Sequence, residues 1–581
     1  MSQEKKKRRL PAFEPQYIVT LILAAVVAFL NCGIIKECYS PFVFNDEMGY
    51  WMHAAEFAGL DWSGVSETVG WYSYGYSLLL APLIRIFSDA VTLYRAALVL
   101  NVVMVVACYF MFVYIIRKLF PKLEVLPASA AAAAGILYTS YQFNSGIAWS
   151  ETALLMAVTI VVLLMARALE KPTCLNMGCL GLFTAYMYMV HNRTVGIVAS
   201  VVFVILIAVV CKKLTLKNFG LFAAVLAAGF IADRLIKAHL EKVFWSNGAE
   251  GNDADSVLGK LKGALTSGEE LRKLIGVMSG QLFAITASTF CLVLFALVIM
   301  ARRGAVGLYK AKKAVKGGKK LSEAADSRYL VFLFIFCAFV STYLISSIFM
   351  LGFERIDHII YTRYFDILSG ILIMIGICFL FEAEKSDIIA AMFVPLIMRV
   401  CVGKANYMMT ILSDPTFNKV CAPPLCQLFE NNGINFHAYF NYAVSWFFAF
   451  MIVSCLFKWK KLSIYFCSAV CAVIFSMNTP SAREAIYVFQ RNYEGDRALC
   501  DRVRELPEKT IYVTSDAGNF IAFLQYEMKD VRVELADTAE DIDGEGYLFA
   551  RSEDAERFEG CQKVDNSDRL DVYLIKQKNS R

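Results

Sequence analysis

The sequence predicts a polytopic α-helical membrane protein with a small C-terminal α/β domain held outside the bilayer. Three observations carry that prediction. Of 581 residues, 58% are hydrophobic and only 19% charged, with a mean hydropathy of +0.53, too apolar for one or two soluble domains of this length. Apolar runs of about 17 to 25 residues, the length a helix needs to cross a hydrocarbon core, recur about thirteen times. From residue 478 to 581 the pattern breaks and polar sequence alternates strand-like and helix-like segments.

The chain opens with "MSQEKKKRRL", a basic patch within residues 1–16 that leads into an apolar run without a small-residue cleavage site. A retained first helix with a cytoplasmic N-terminus is expected, not a signal peptide. The apolar runs lie at 17–35, 91–116, 127–142, 149–168, 174–190, 194–211, 218–238, 281–301, 329–350, 364–381, 388–403, 438–457 and 461–477. With the N-terminus inside, the loops at 117–122, 167–171, 212–217, 302–320, 382–387 and 458–461 are cytoplasmic. Five of these six are basic, and the longest contains "YKAKKAVKGGKK", as the positive-inside rule requires.

The membrane domain is thus expected at 17–477, with a long first outer loop at 36–90 and an extracytoplasmic tail at 478–581. In the tail, "TIYVTS", "VRVEL", "GYLFA" and "DVYLI" read as strands and "GNFIAFLQYEM" as a helix. The net charge of +6 is mostly accounted for by the cytoplasmic loops, so it gives no reason to expect a nucleic-acid partner. Most of the seventeen cysteines are scattered through apolar runs, where cysteine acts as a small hydrophobe. The pairs Cys421/Cys426 and Cys500/Cys561 could form disulfides in an oxidising compartment or stay reduced.

Polar residues gather in the expected outer loops. "FVFNDEMGYW" places Asp46, Glu47 and Tyr50 soon after the first helix, and "VGWYSYGYSLLLAPL" follows with Trp71, Tyr72, Tyr74 and Tyr76. The rings suit either an interfacial belt or platforms for sugar faces. Asp46 and Glu47 fit either a functional acidic pair or the solvated start of an interfacial helix. Glu151 tops the fourth run, "MYMVHNRTVG" presents His191 and Arg193, and "GFERIDHIIYTRYFD" presents Arg355, Asp357, His358, Arg363 and Tyr364. Anions and cations from distant loops would then meet on one face of the membrane.

Such a face suits a substrate that is part lipid, part phosphate and part sugar. Glycosyl transfer from a polyprenyl-phosphate sugar needs a carboxylate, Asp46 or Glu47, to orient or deprotonate the incoming hydroxyl. It also needs cations, here Arg193, Arg363 and His191, against the departing phosphate. A nucleotide is not required, and neither a P-loop nor a Rossmann glycine signature is present. A multi-pass transporter or flippase for a lipid-linked glycan is the competing reading. It would place charges at mid-membrane and show an internal repeat, neither of which is evident.

The acidic pair in the form D-E-x-x-Y (Asp46, Glu47, Tyr50), the aromatic stretch leading to "YSLLLAPL" and the later Arg363–Tyr364 element resemble the GT-C superfamily of membrane glycosyltransferases. That superfamily includes protein O-mannosyltransferases, aminoarabinose transferases, arabinofuranosyltransferases and oligosaccharyltransferase catalytic subunits. The resemblance implies a plasma-membrane enzyme that transfers a sugar from a polyprenyl-phosphate donor to an extracytoplasmic glycan, lipid or protein. It implies Asp46 as base and Glu47 in support, with Tyr50, Trp71, Tyr74, Glu151, His191, Arg193, Arg355, Asp357, His358, Arg363 and Tyr364 binding substrate. The transfer is expected to invert the anomeric centre. No cofactor is certain; some relatives use a divalent ion, and Asp46 with Glu151 could hold Mg2+ or Mn2+. The W-W-D element of oligosaccharyltransferases is absent, which disfavours an asparagine acceptor.

Overall fold

The computed structural model describes residues 15–42, 44–245, 254–317, 326–352, 354–412, 414, 416–428, 435–456, 460–507, 509–517, 520–542 and 544–576. Most of the basic N-terminal patch, and residues 318–325 in and after the basic 302–320 loop, lie outside them. Among the described residues, ten helices are long and apolar enough to cross a membrane, and four shorter apolar helices accompany them. The chain is a multi-pass membrane protein.

The expected count of about thirteen is not reproduced, because the runs at 127–142, 174–190 and 364–381 form the shorter helices Val125–Ile136, Cys174–Val190 and Asp366–Phe381, and helix ends do not follow hydropathy. The run at 281–301 is two helices, Gly268–Ser288 and Leu292–Lys316. They are separated by a turn in which Phe290 (φ 50°) and Cys291 (φ 63°) adopt left-handed backbone, where glycine would ordinarily be expected. Stacking of Phe290 on Phe475, with ring centroids 5.5 Å apart, accompanies the turn. The run at 127–142 is likewise split at Tyr138 into Val125–Ile136 and Thr139–Asn144. The 36–90 loop contains an apolar helix of its own, Ser77–Ile86.

The last long helix, Lys460–Asn492, continues past residue 478 toward the tail. On it, buried Arg483 donates to the carbonyls of Leu30 (3.1 Å) and Gln142. These lie in the last turns of Pro15–Cys32 and Thr139–Asn144, so the cation sits at the negative ends of two helix dipoles. Gln490 lies further along the same helix. It accepts from the Tyr39 amide (3.0 Å) and donates to the Ser40 carbonyl (2.6 Å), tying the tail to the first loop.

Beyond helix Glu494–Arg504 the tail forms a five-stranded sheet: β1 Thr510–Val513, β2 Val533–Leu535, β3 Gly546–Arg551, β4 Gln562–Asn566 and β5 Leu570–Ile575. The strand order is β2-β1-β3-β5-β4. β1 runs parallel to β2 and β3, and β5 antiparallel to β3 and β4. All four anticipated strands are present, as is a helix at Phe520–Glu527. The missed strand is β4, a sheet edge with no fully buried residue, so it lacks the apolar alternation that reveals a strand.

The sheet domain rests on the first loop. Trp62 donates its indole N–H to the Lys529 carbonyl (2.8 Å), and Tyr526 donates its hydroxyl to the Ala90 carbonyl (3.2 Å). Tyr526 also packs edge-on against Trp51, 5.2 Å between centroids. At Gly64 a Cβ would lie 2.0 Å from the Val533 carbonyl oxygen, so only glycine permits this approach.

Candidate active site

Asp46 and Glu47 occupy the first turn of helix Phe44–Ala58, where the helix dipole favours acidic residues. Neighbours on a helix point about 100° apart, and the two carboxylates go to different environments. Asp46 faces a cavity of about 200 Å3 that it lines with Trp71, Tyr72, His191, Arg193 and Arg363 among others. Glu47 is fully buried on the other side. It accepts from the Tyr94 hydroxyl and the Ala148 amide (both 2.8 Å) and from the Phe42 amide. Glu47 does not line the cavity; it pins the Asp46-bearing turn to Tyr94 and Ala148 on two other segments and to Phe42 just before the helix.

Four charges form the floor of the site. Arg363 donates from Nη1 to Asp46 Oδ2 (2.7 Å) and from Nε to Glu151 Oε1 (2.6 Å), and Arg193 Nη2 pairs with Glu151 Oε2. The Tyr72 hydroxyl donates to Asp46 Oδ1 at 2.7 Å. Burial, with the Asp46 carboxylate next, pushes the Tyr72 pKa far up, so Tyr72 stays a proton donor. Arg363 stacks on Trp149 at 3.9 Å and Arg193 on Tyr364 at 4.6 Å, contacts that fix guanidinium planes.

Local structure explains these placements. Glu151 lies in the first turn of Ser150–Glu170, and Ser150 is hydrogen-bonded to Tyr50 (2.7 Å). Arg193 sits on the one-turn helix Asn192–Thr194, whose start is held by the His191 ring accepting the Arg193 amide (3.3 Å). The first loop reaches this turn through Gly75, whose amide donates to the Met189 carbonyl (2.7 Å), and a Cβ there would lie 2.4 Å from Val190 N. His191 is buried, and burial together with the Arg193 and Arg363 charges holds its pKa well below the usual histidine range. It therefore lines the cavity as a neutral ring and supplies no positive charge at pH 7. Nε and Nη1 of Arg193 are buried without a hydrogen-bond partner among the described residues. Arg193 also lines the cavity, and buried guanidinium donors without a partner suit pairing with an anion.

Asp46, Tyr50, Trp71, His191, Arg193, His358, Arg363 and Tyr364 thus come together around the cavity, with Glu151 directly beneath. Glu47, Tyr74, Arg355 and Asp357 do not line it. Tyr74 bonds Asp233 (3.1 Å). Arg355 pairs with buried Asp357 (3.1 Å), which also accepts from the Asn418 amide (2.7 Å) and the Cys421 thiol (3.4 Å). That cluster fastens the 355–364 segment to the 414–426 segment. Cys421, Cys426, Cys500 and Cys561 are all free thiols. The sequence did not single out Tyr72, Trp149 or Tyr361; nothing distinguishes Tyr72 from the other rings of its aromatic run.

The residues do not fit the divalent ion considered for Asp46 and Glu151. All four of their carboxylate oxygens already accept from a guanidinium or a hydroxyl, and Arg363 bridges the two acids. No cluster of three metal-ligating side chains occurs among the described residues.

This architecture, a multi-pass helical domain with a small C-terminal sheet domain, has counterparts among solved membrane-protein structures. The crystal structure of ArnT from Cupriavidus metallidurans bound to undecaprenyl phosphate shares it at a TM-score of 0.51 and 11% identity, covering 98% of this chain and 99% of that one. The apo form of the same protein gives 0.49 and 11% over 96% and 98%. The archaeal oligosaccharyltransferase AglB from Archaeoglobus fulgidus, in complex with an inhibitory peptide and a dolichol-phosphate, gives 0.40 and 10% over 94% and 70%. No family model and no curated protein matches the sequence.

Proposed function

We propose that this protein is an inverting membrane glycosyltransferase that moves a sugar from a polyprenyl-phosphate donor to a hydroxyl of an extracytoplasmic glycan, lipid or protein. The observation that carries the reading is the pairing of Asp46 with Arg363 in a cavity where Arg193 keeps two unfilled donors. The undecaprenyl phosphate in the ArnT structure supports a lipid-phosphate donor. In this reading the cavity faces the outside of the plasma membrane, with the N-terminus cytoplasmic and the sheet domain extracytoplasmic.

The donor phosphate fills the free donors of Arg193 and competes for Arg363, loosening Arg363 from Asp46 Oδ2. Asp46 then accepts the proton of the acceptor hydroxyl as its oxygen bonds to the sugar C1. The bond from C1 to the phosphate oxygen breaks with inversion, and the lipid phosphate leaves against the two guanidiniums. Asp46 finally returns its proton to water. Trp71 and Tyr72 wall the sugar.

Asp46→Asn tests the reading. The variant is expected to lose transfer from a short-chain polyprenyl-phosphate sugar while keeping wild-type membrane level and thermal stability. Wild-type turnover in purified Asp46→Asn protein overturns the assignment.

A further inference from the structure

A second cavity, of about 300 Å3, lies in the seam between the sheet domain and the first loop. It is separate from the Asp46 cavity and shares no lining residue with it. Its walls come from Ser88–Ala90, from the end of helix Glu494–Arg504 and from residues 527–531 after helix Phe520–Glu527. The seam is rigid, because Trp62, Gly64 and Tyr526 lock its two sides together. The volume is at the lower end of the range for small-molecule sites.

We infer that this seam cavity is a binding site for a neutral saccharide. Three features select that class. First, Glu527 is 3% exposed, and its Oε1 has no hydrogen-bond partner among the described residues, while Oε2 is met by Arg504 at 3.3 Å. Burial pushes the Glu527 carboxyl up to about 8, so near neutral pH it is largely protonated and able both to give and to take a hydrogen bond, as a sugar hydroxyl is.

Second, the lining leaves no unmatched charge for an ion. Arg504, Lys509 and Lys529 face Asp89, Glu527 and Asp530. The cations are already matched: Arg504 to Asp501 (2.7 Å), Lys529 to Asp530 (2.8 Å) and Lys509 to Glu545. A phosphate would meet the Asp89 and Asp530 carboxylates and cations that are already paired, and an ammonium would meet three cations. A polyhydroxyl ligand meets neither obstacle. Third, buried Ile511, Met528 and Tyr547 contribute an apolar wall, suited to the C–H face of a pyranose. The inference does not depend on the glycosyl-transfer reading, since no residue of the Asp46 site takes part.

The test is saturation-transfer NMR on the full-length protein in detergent, with methyl α-mannoside, methyl β-glucoside and methyl β-galactoside as probes. Glucosamine and inorganic phosphate are the charged controls. At least one methyl hexoside is expected to bind in the millimolar range. Glu527→Leu, which removes both hydrogen-bonding functions, should weaken it by at least about tenfold, and Glu527→Gln should retain it within a few-fold. Pro507→Trp, on an exposed lining residue, should block binding by filling the mouth without touching the core, so the test stands even where Glu527→Leu misfolds. The inference is overturned if no methyl hexoside binds, if a charged control binds in its place, or if Pro507→Trp binds as wild type does.

Discussion

Glu47→Gln separates positioning from chemistry in the acidic pair. The Glu47 carboxylate accepts on Oε1 from Tyr94 and Ala148 and on Oε2 from Phe42. A glutamine can keep the first two on its carbonyl, but its NH2 then points at the Phe42 amide, donor against donor. The loss of one hydrogen bond to a charged group and the stranding of a buried N–H together amount to roughly 2 to 4 kcal/mol. Glu47→Gln should therefore lower the unfolding temperature, measured by thermal shift on purified protein, and reduce turnover because the Asp46 turn loosens. Tyr94→Phe removes one of these donors without touching the cavity. It should give a smaller version of both effects, lowering kcat with KM unchanged. Asp46→Asn, whose amide still accepts from Tyr72 or Arg363, should differ by abolishing turnover at unchanged stability. Should Glu47→Gln keep the wild-type unfolding temperature yet lose activity as completely as Asp46→Asn, Glu47 touches substrate and the positioning role is refuted.

Two further outcomes follow from burial. Glu151→Gln leaves Arg193 and Arg363 without the carboxylate that both share, and removing one member of a buried ionic group costs about 3 to 5 kcal/mol; size-exclusion profile and thermal shift should both deteriorate, and an unchanged profile counts against the bridge. His53 lies buried between Trp71, Phe244 and Trp245, and neither ring nitrogen has a hydrogen-bond partner among the described residues. Burial pushes its pKa down from 6.5 to about 3, so the unfolded chain binds the proton and the folded one does not. Stability is then lost as the pH falls below 6.5, by about 2 kcal/mol at pH 5. His53→Phe should flatten the stability profile between pH 7 and pH 5 at no loss at pH 7, and an equally steep profile in the variant would show that other groups set it.

The fold class was legible because a membrane imposes it: backbone groups in hydrocarbon must be satisfied within each segment, so long apolar runs mark helices. Their number and ends were less legible, since an apolar run does not show where its helix stops: Val125–Ile136 ends before the run does, and the turn at Phe290 and Cys291 is made from residues as apolar as the helices it joins. The site divided in the same way. The charged residues of distant loops stood out against an apolar background, and Asp46, Arg193 and Arg363 do meet. Glu47 looked equivalent to Asp46 because adjacency in sequence hides the 100° that a helix puts between neighbours. Arg355 and Asp357 looked like site residues because a loop ion pair that fastens backbone has the same composition as one that binds substrate. Trp149 gave no charge signal at all, although its ring carries Arg363.

The site's two carboxylates and two guanidiniums balance, with His191 neutral. Each arginine is held by Glu151, and only Arg363 also reaches Asp46. Asp46 is thus the partner most easily released: its side chain is 22% exposed, whereas Glu151 is 1% exposed and fixed from both sides. An anion entering the cavity adds the one charge the cluster lacks partners for, and it can be accommodated by taking Arg363 from Asp46 or by pairing with the unpartnered donors of Arg193. Either way the buried salt bridge to Glu151 survives as a platform, while the less buried bridge to Asp46 gives way. In the proposed reaction, binding of the phosphate would therefore itself expose the base, which favours donor binding before acceptor deprotonation.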